Sequence, residues 1–585
     1  MSAKKPNVIL ILTDDQGYGD LGLHGNSYVE TPRLDALGAE GVRFEQFYAT
    51  PVCAPTRASL LTGRQFLRTG VWHVHGGRDF LNTDETLLPE VLRDHGYRTG
   101  MMGKWHSGKT NAYLPYHRGF DEVWMAKLYV HMNNRMDHNG EWVDTTGWTT
   151  DTLTDKAIDF IRSSKEEPFF LYVPYLAPHE PWYAPDELIE KYKSKGLSES
   201  LATVFAMIEQ VDTQVGRLLD TVREEGLEED TIVIFMSDNG PIAGSSNLPD
   251  LTAEEMSLRN AAGMRGNKGT IWDNGSRVPC FIHSPARFRP TIIEELVHVT
   301  DLFPTILELT GASRKENAFP LDGRSLVPML EPVLEKEPTA AKLPEQPDDR
   351  YIVNGTHQTY WPARPNEWSV PPRDRQFSYL DQRYNLSIRH GKYKLVPAGD
   401  GRHELYDMEA DPRETTDLAS ELPETTSGLA NKLQSWFEEL VRSGRAHRTA
   451  TFYIGYPGEQ ETVIPTYAPV AVSGHVVPGS HSSKGWMMAG DGQSADIEVL
   501  DPGEYELQLR ADVLKEGTMA EVSIGNIRIQ GVLRSGQPCL LGRVHLEAGR
   551  FELTLRLIDV PSGAGDAVSF SYPSDGVIVR RAGRS

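Results

Sequence analysis

Along the first half of the chain, continuous apolar runs alternate with segments of helical spacing. "NVILILT" (Asn7 to Thr13) reads as a strand buried on both faces, because nothing polar interrupts it between its ends. In "TPRLDALGAEG" the apolar positions fall at helical spacing, with Thr31 as N-cap, Pro32 at the first helical position and Gly41 as the stop. "TLLPEVLRDHGYRTGMMGKW" repeats the order: a helix, a break at Gly96, then a strand towards Lys104. "TDKAIDFIRSSKEEPFFLYVPYL" gives a further helix and strand, "LATVFAMIEQVDTQVGRLLDTVREEG" a long helix, and "TIVIFMSDNG" another buried strand. This alternation predicts an α/β fold with a large mixed, mostly parallel sheet flanked by helices. In such sheets polar sites gather beyond the carboxyl ends of the strands.

The pattern then changes twice. Residues 331–349 turn Pro-, Glu- and Lys-rich and read as an exposed connection or insertion. "FSYLDQRYNLSIRHGKYKLV" predicts two or three short antiparallel strands and "ETTSGLANKLQSWFEELVRSG" a helix, together a small α+β subdomain. After Thr449 the helical signal vanishes. Tyr505, Leu507 and Leu509 alternate with polar residues, as do Val522 and Ile524, Ile527 and Ile529, and the series Phe551, Leu553, Leu555 and Leu557. Period-two strands between Gly and Pro turns predict an all-β sandwich. The expected division is residues 1–345, 346–450 and 455–585.

Charge and cysteine content narrow the function. A formal charge of −23 argues against broad nucleic-acid binding, which needs a basic face, but leaves room for a basic pocket that takes a small anion. Three distant cysteines, Cys53, Cys280 and Cys539, give no disulfide framework. The apolar run near the N-terminus is only Val8 to Leu12, too short for a signal peptide, and no stretch is long enough for a membrane span. Taken at face value the chain is cytoplasmic; a trimmed N-terminus would make it periplasmic or secreted.

Two buried-type strands end in oxygen ligands: Asp14 and Asp15 after the first, Asp238 and Asn239 after "IVIFM". Adjacent carboxylates repel, and a hard divalent cation resolves that repulsion. Taken alone, an Asp-Asp pair is more often a solvated turn or helix cap; the second pair changes the balance. Basic residues also follow apolar strands: Lys104 and His106 in "MMGKWHSGK", His179 in "YLAPHEPW" and Lys268 in "GMRGNKGTIWDNGSRVP". Lys104 and His106 are two apart, so on an extended segment they share a face. Each alone reads as a surface or loop residue; together, around a metal, they suit a tetrahedral oxyanion and proton transfer.

"CAPTRASLLTGR" matches the C-x-P-x-R signature of the formylglycine-dependent (type I) sulfatases of the alkaline phosphatase-like superfamily. "NVILILTDDQGYGDLG", "TPRLDALGAEGVRFEQFYAT", "GYRTGMMGKWH", "LAPHEP", "IFMSDNG", "RGNKGTIWDNGSRVP", "DLFPTILELTG", "LDGRSLVPML" and "ELYDMEADPRETTDLA" resemble the family in family order, over residues 6 to 442. The resemblance implies that Cys53 is oxidised before folding to Cα-formylglycine, by a formylglycine-generating or radical-type sulfatase-maturating enzyme. The hydrated aldehyde is then the nucleophile, and its second hydroxyl expels sulfate from the sulfated hemiacetal, an exit that a serine sulfate lacks. It further implies a Ca2+ site, with Mg2+ less favoured, formed by Asp14, Asp15, Asp238, Asn239 and position 53. Arg57 braces the diol, Lys104 and Lys268 bind sulfate oxygens, Lys268 or His179 protonates the leaving oxygen, and His106 contacts the diol and takes the proton when the hemiacetal collapses.

Where the family often has Glu-Gly-Gly after its glycine-lysine turn, this chain has Asp273, Asn274 and Gly275, expected at the pocket rim. His73, His75 and Arg78, with His357 and Gln358, are candidates for an outer substrate pocket. Trp486 is a candidate sugar platform, although a lone Trp is more often core. The sandwich is expected to be structural or oligomer-forming, so a homo-oligomer is an open expectation. The substrate is expected to be an aryl sulfate or a sulfated sugar or oligosaccharide. Three rival readings stand beside this one: a phosphonate or phosphodiester hydrolase, an inactive sulfated-glycan-binding protein, and a metal-dependent phosphatase. The last predicts Ser or Thr at position 53.

Overall fold

The computed structural model describes residues 5–330, 350–357, 380, 384–398, 401–446, 448–477, 479, 482–535, 538–571 and 575–583. The central sheet holds β1 (Asn7–Thr13), β2 (Val42–Tyr48), β3 (Arg98–Gly103), β4 (Glu122–Met125), β5 (Arg135–His138), β6 (Glu141–Asp144), β7 (Phe169–Pro174), β8 (Thr231–Ser237), β9 (Cys280–His283) and β10 (Thr291–His298). Their spatial order is β10-β2-β9-β8-β1-β7-β3-β4-β5-β6. From β8 through β1, β7 and β3 to β4 the neighbours are parallel; β9 runs antiparallel to both of its neighbours, and the β5–β6 hairpin closes one edge.

β1, β7 and β8 are buried along their whole length, as their uninterrupted apolar runs require. Alternation splits β1 between two cores: Val8, Leu10 and Leu12 join one, Ile9 and Ile11 the other. Each such side chain contributes about 1.5–3 kcal/mol by leaving water. The second core is closed by helices Thr149–Ser164 and Glu199–Glu224 and by α1 (Pro32–Glu40). Thr31 and Pro32 occupy the predicted places at the start of α1, but Thr31 does not cap it. Its hydroxyl donates to Asp35, while Asp212 of the long helix accepts from the amides of Arg33 and Leu34.

A second sheet, antiparallel, contains β11 (Tyr351–His357), β12 (Tyr384–His390), β13 (Tyr393–Pro397) and β14 (His403–Asp407). Helix Pro423–Arg442 packs Leu433, Phe437 and Leu440 against Leu386, Ile388 and Leu395 of this sheet. Gln358 and the side chain of His357 lie outside the described residues. Among the described residues the C-terminal part forms two larger antiparallel-rich sheets and a two-stranded one between Thr451 and Arg581, with the alternating residues Tyr505, Leu507, Leu509, Val522, Leu553 and Leu555 facing inward. Trp486 belongs to this core: it is 0% exposed, donates to the Ser483 hydroxyl at 2.9 Å and packs against Phe570. It offers no face to a sugar. Among the described residues no helix is long and apolar enough to cross a membrane.

Candidate active site

β1 and β8 are adjacent, parallel and in register, with Thr13 opposite Ser237. The two acidic pairs therefore leave the sheet side by side, and Asp14, Asp15, Asp238 and Asn239 are all fully buried. Asp15 adopts φ 68°, a left-handed conformation that Asp tolerates better than most residues. Its amide donates to Asp238 Oδ1 at 3.2 Å, and Asn239 Nδ2 donates to Asp15 Oδ1 at 2.7 Å. Asp14 Oδ1, Asp15 Oδ2 and Asn239 Oδ1 are left buried with no hydrogen-bond donor. Burial, followed by the charge of Asp14, pushes the Asp238 carboxyl up to about 7. Orphaned hard oxygens and crowded carboxylates are the donor set that a divalent cation satisfies. The residues present thus fit a metal ion, with ligand atoms of Asp14, Cys53 and Asp238 all within 4.8 Å of one another.

Cys53 is the first residue of α2 (Cys53–Thr62), all ten residues of which are buried. Prolines stand on both sides of the cysteine, at 51 and 55, yet this segment opens a helix. Pro55 falls in its first turn, where a missing N–H costs nothing. The helix ends at Gly63, φ 66°, where a Cβ would sit 2.8 Å from that of Phe303. Position 53 consequently faces the positive end of a helix, in a setting that favours an anion. Burial pushes the Cys53 thiol up, so as an ordinary thiol it stays protonated and a poor nucleophile. Arg57 lies one turn on. Its Nη2 and Nε donate to Asp238 Oδ2 at 2.7 and 3.1 Å, its Nη1 donates to the Lys104 carbonyl at 3.1 Å, and Nη2 is 3.5 Å from Asp14.

Lys104 and His106 do reach this centre, but not through strand alternation. β3 ends at Gly103, φ 145°, where a Cβ would meet the Pro174 carbonyl at 1.9 Å. Lys104 Nζ then contacts Asp14 Oδ2 at 2.5 Å, and His106 turns inward through a left-handed backbone, φ 57°. His106 Nε2 is 2.6 Å from the Val74 carbonyl, which can only accept, so Nε2 carries the hydrogen. The lone pair of Nδ1 faces Cys53 Sγ at 3.5 Å. Burial, then the charge of Lys104, keeps this imidazole neutral.

Lys268 is set by two backbone bonds: its own amide to the Pro241 carbonyl at 2.9 Å, and the Gly269 amide to the Pro51 carbonyl, next to the Cys53 segment, at 2.8 Å. Its ammonium lies 2.6 Å from Asp15 Oδ1. His179 Nδ1 donates to the Glu180 carbonyl at 2.5 Å, leaving Nε2 towards Asp15, 3.7 Å away.

His75 joins the same region, with its ring 5.4 Å from that of His106. His73 and Arg78 are buried in its loop, Arg78 over the Trp72 ring. Two residues at the site have no mark in the sequence pattern. Tyr129, at φ 64°, bonds His75 Nε2 through its hydroxyl at 2.6 Å and places its ring 5.2 Å from that of His179. His131 is buried against His179, and burial brings its pKa down to about 4. Their loop is stapled by the fully buried Asn134, which bonds Lys127 at both N–H and carbonyl and also the Val130 carbonyl.

Asp273 departs from its expected place at a pocket rim. It is buried and ion-paired with Lys394 of β13 at 2.8 Å, and it accepts from the Tyr48 hydroxyl at 2.8 Å. The departure from the family pattern therefore joins the central sheet to the second sheet.

A largely parallel α/β sheet with a metal-type carboxylate cluster and two lysines beyond its carboxyl edge defines an alkaline phosphatase-like hydrolase of anionic esters. A family model described as Sulfatase matches residues 6–312, and mouse arylsulfatase J is 30% identical over 490 residues, covering 75% of this chain and 76% of that protein. The chain belongs to the sulfatase family and is a sulfuric ester hydrolase. Rat N-acetylgalactosamine-6-sulfatase is 32% identical over 367 residues, covering 56% of this chain and 66% of that protein. The crystal structure of Ps i-CgsB in complex with k-i-k-neocarrahexaose matches with TM-score 0.62 and 26% identity, covering 76% of this chain and 98% of that one. The family generally uses a metal ion and formylglycine.

Proposed function

We propose that the protein removes sulfate from a sulfated saccharide, using a formylglycine generated from Cys53 and a Ca2+ ion held by Asp14, Asp15, Asp238 and Asn239. The observation that carries this reading is the set of three orphaned buried oxygens beside a position-53 side chain at a helix N-terminus. Saccharide rather than simple aryl ester is favoured by the names of the relatives, one an N-acetylgalactosamine-6-sulfatase and one bound to a neocarrahexaose.

When present, the cation polarises a sulfate oxygen, and the hydrated aldehyde supplies a nucleophilic oxygen together with a second hydroxyl for sulfate release. The chain's own groups do the rest. Lys104 and Lys268, anchored on Asp14 and Asp15, hold sulfate oxygens by charge. His106 is a neutral base whose only free lone pair points at position 53, so it accepts a proton there. The leaving oxygen receives its proton from Lys268, or from His179 as the imidazolium, because with Nδ1–H committed to the Glu180 carbonyl the neutral ring offers only a lone pair at Nε2. Arg57 fixes Asp238 and, with Asp14, the floor of the site.

Mass spectrometry of the peptide across Cys53, from protein made with a maturating enzyme, tests the reading first. Conversion removes sulfur and two hydrogens and adds one oxygen. Turnover of an aryl sulfate, a sulfated monosaccharide and a phosphodiester is then compared with and without Ca2+. An unconverted Cys53 in an active protein, or faster cleavage of the phosphodiester, overturns the proposal.

A further inference from the structure

Around His106 lies a second charged layer that the chemistry above does not use. Asp79 is fully buried, with an oxygen 3.8 Å from His106 Nε2. Together with His75 and His106 it forms a cluster of metal-ligand type. Lys109, however, already places its ammonium 2.9 Å from that carboxylate, so the charge is met from within the chain. On its other side, Lys109 lies over the ring of Tyr467, 5.3 Å from its centroid. Tyr467 belongs to the C-terminal sandwich, and its neighbour Ala468 presses on the loop that carries Asp79. At Gly77, φ 77°, a Cβ would stand 2.7 Å from that of Ala468.

These contacts are part of a wider seam. Phe80 and Tyr113 are members of the sandwich core, Phe80 meeting Phe452 edge-on. Asn111, in a left-handed conformation, donates to the Tyr453 carbonyl at 2.9 Å and to the Thr462 hydroxyl at 3.1 Å. The sandwich therefore grips both segments that determine where His106 sits. One is its own, ending at Tyr113. The other is the 73–80 loop, whose Val74 carbonyl fixes the ring's tautomer.

We propose that the C-terminal sandwich is part of the active-site scaffold, with Ala468, Tyr467, Lys109 and Asp79 acting as positioning residues that hold the imidazole of His106 against position 53. The sandwich is then no detachable sugar-binding module, in keeping with the buried Trp486. The kinetic arm of the test rests on the sulfate-ester reading above; the structural arm does not.

The variants are Lys109→Met, which removes the ion pair, and Ala468→Val, which crowds Gly77, each beside a conservative partner, Lys109→Arg and Ala468→Ser. All are made in the full-length matured chain. Lys109→Met and Ala468→Val should lower kcat about 10- to 100-fold with KM within about 3-fold, since misplacing a reacting group by an ångström costs about that much. Lys109→Arg and Ala468→Ser should stay within about 3-fold of the parent. The Lys109→Met/Ala468→Val double variant should lose less than the product of the two single losses, because both act through one ring. Crystal structures of the single variants should show His106 Nε2 drawn off the Val74 carbonyl. Unchanged kcat, a purely multiplicative double loss, or an unmoved imidazole overturns the inference. A matured parent that cleaves no sulfate ester defeats the proposed function instead, and the ring position in the variant crystals then decides this inference alone.

Discussion

Replacing Arg57 by Gln tests the electrostatic floor of the site. The change removes a buried cation that donates twice to one oxygen of Asp238, at 2.7 and 3.1 Å, and once to the Lys104 carbonyl. Asp238 and Asp14, both fully buried, then face each other with less opposing charge. Breaking a buried ion pair from one side costs roughly 3–5 kcal/mol, because the stranded charge stays buried. At about 2 °C per kcal/mol for a domain of this size class, the unfolding midpoint of the catalytic part should fall by about 6–10 °C. A divalent cation binds only the folded cluster and supplies the missing positive charge, so adding Ca2+ should raise the variant's midpoint more than the parent's. Arg57→Lys should lie between the two, since an ammonium keeps the charge but cannot make the forked contact. Differential scanning calorimetry in chelator and in Ca2+ reads all of this. A midpoint for Arg57→Gln within about 1 °C of the parent in chelator would refute the assigned role.

Lys268→Met should leave Cys53 conversion intact and cut kcat/KM for a sulfate ester by about 100- to 1,000-fold, the loss typical of one transition-state charge contact; activity within 3-fold of the parent contradicts the placement. Lys394→Met strands Asp273 and Glu414, both buried on the same ammonium, and should cost roughly 3–5 kcal/mol in urea unfolding, with no effect on the chemistry beyond that of lost fold. His298 is buried, and its pKa is brought down to about 4 by burial, so the folded state binds fewer protons than the unfolded chain between about 4 and 6.5. Stability is thus complete above pH 6.5 and falls as pH drops, by about 3 kcal/mol over that window from this group alone. His298→Asn, which keeps an acceptor for the Thr300 amide, should flatten that acid limb; an unchanged slope argues against a neutral buried His298.

The framework of the fold was legible because its signals are local. The apolar runs of β1 and β8 and the helical spacing of the long helix at Glu199–Glu224 sit where the sequence places them. The acidic pairs were legible for a related reason: parallel neighbours in register bring the residues after both strands to one point. What stayed hidden depends on tertiary contact. Tyr129 and His131 sit on a loop with no strand end to mark them, aimed inward by Asn134 and a left-handed backbone. Asp79 and Lys109 look like ordinary surface charges until the sandwich covers them. Thr31 has the residue type of a cap, yet a carboxylate 181 positions away does the capping, and no local rule weighs that competition. Asp273 illustrates the opposite error, since a residue judged by its neighbours in sequence belonged to a seam between sheets.

The thiol of Cys53 is 1% exposed, at the root of a helix with no exposed residue. No second protein can close around it once the chain has folded. Under the proposed chemistry, maturation and folding are therefore competitors for the same nascent molecules, and whichever is faster sets the active fraction. A preparation is then a fixed mixture of converted and unconverted molecules. Cooler expression, which delays folding, should shift that mixture, whereas incubation of purified protein with the oxidising enzyme should not.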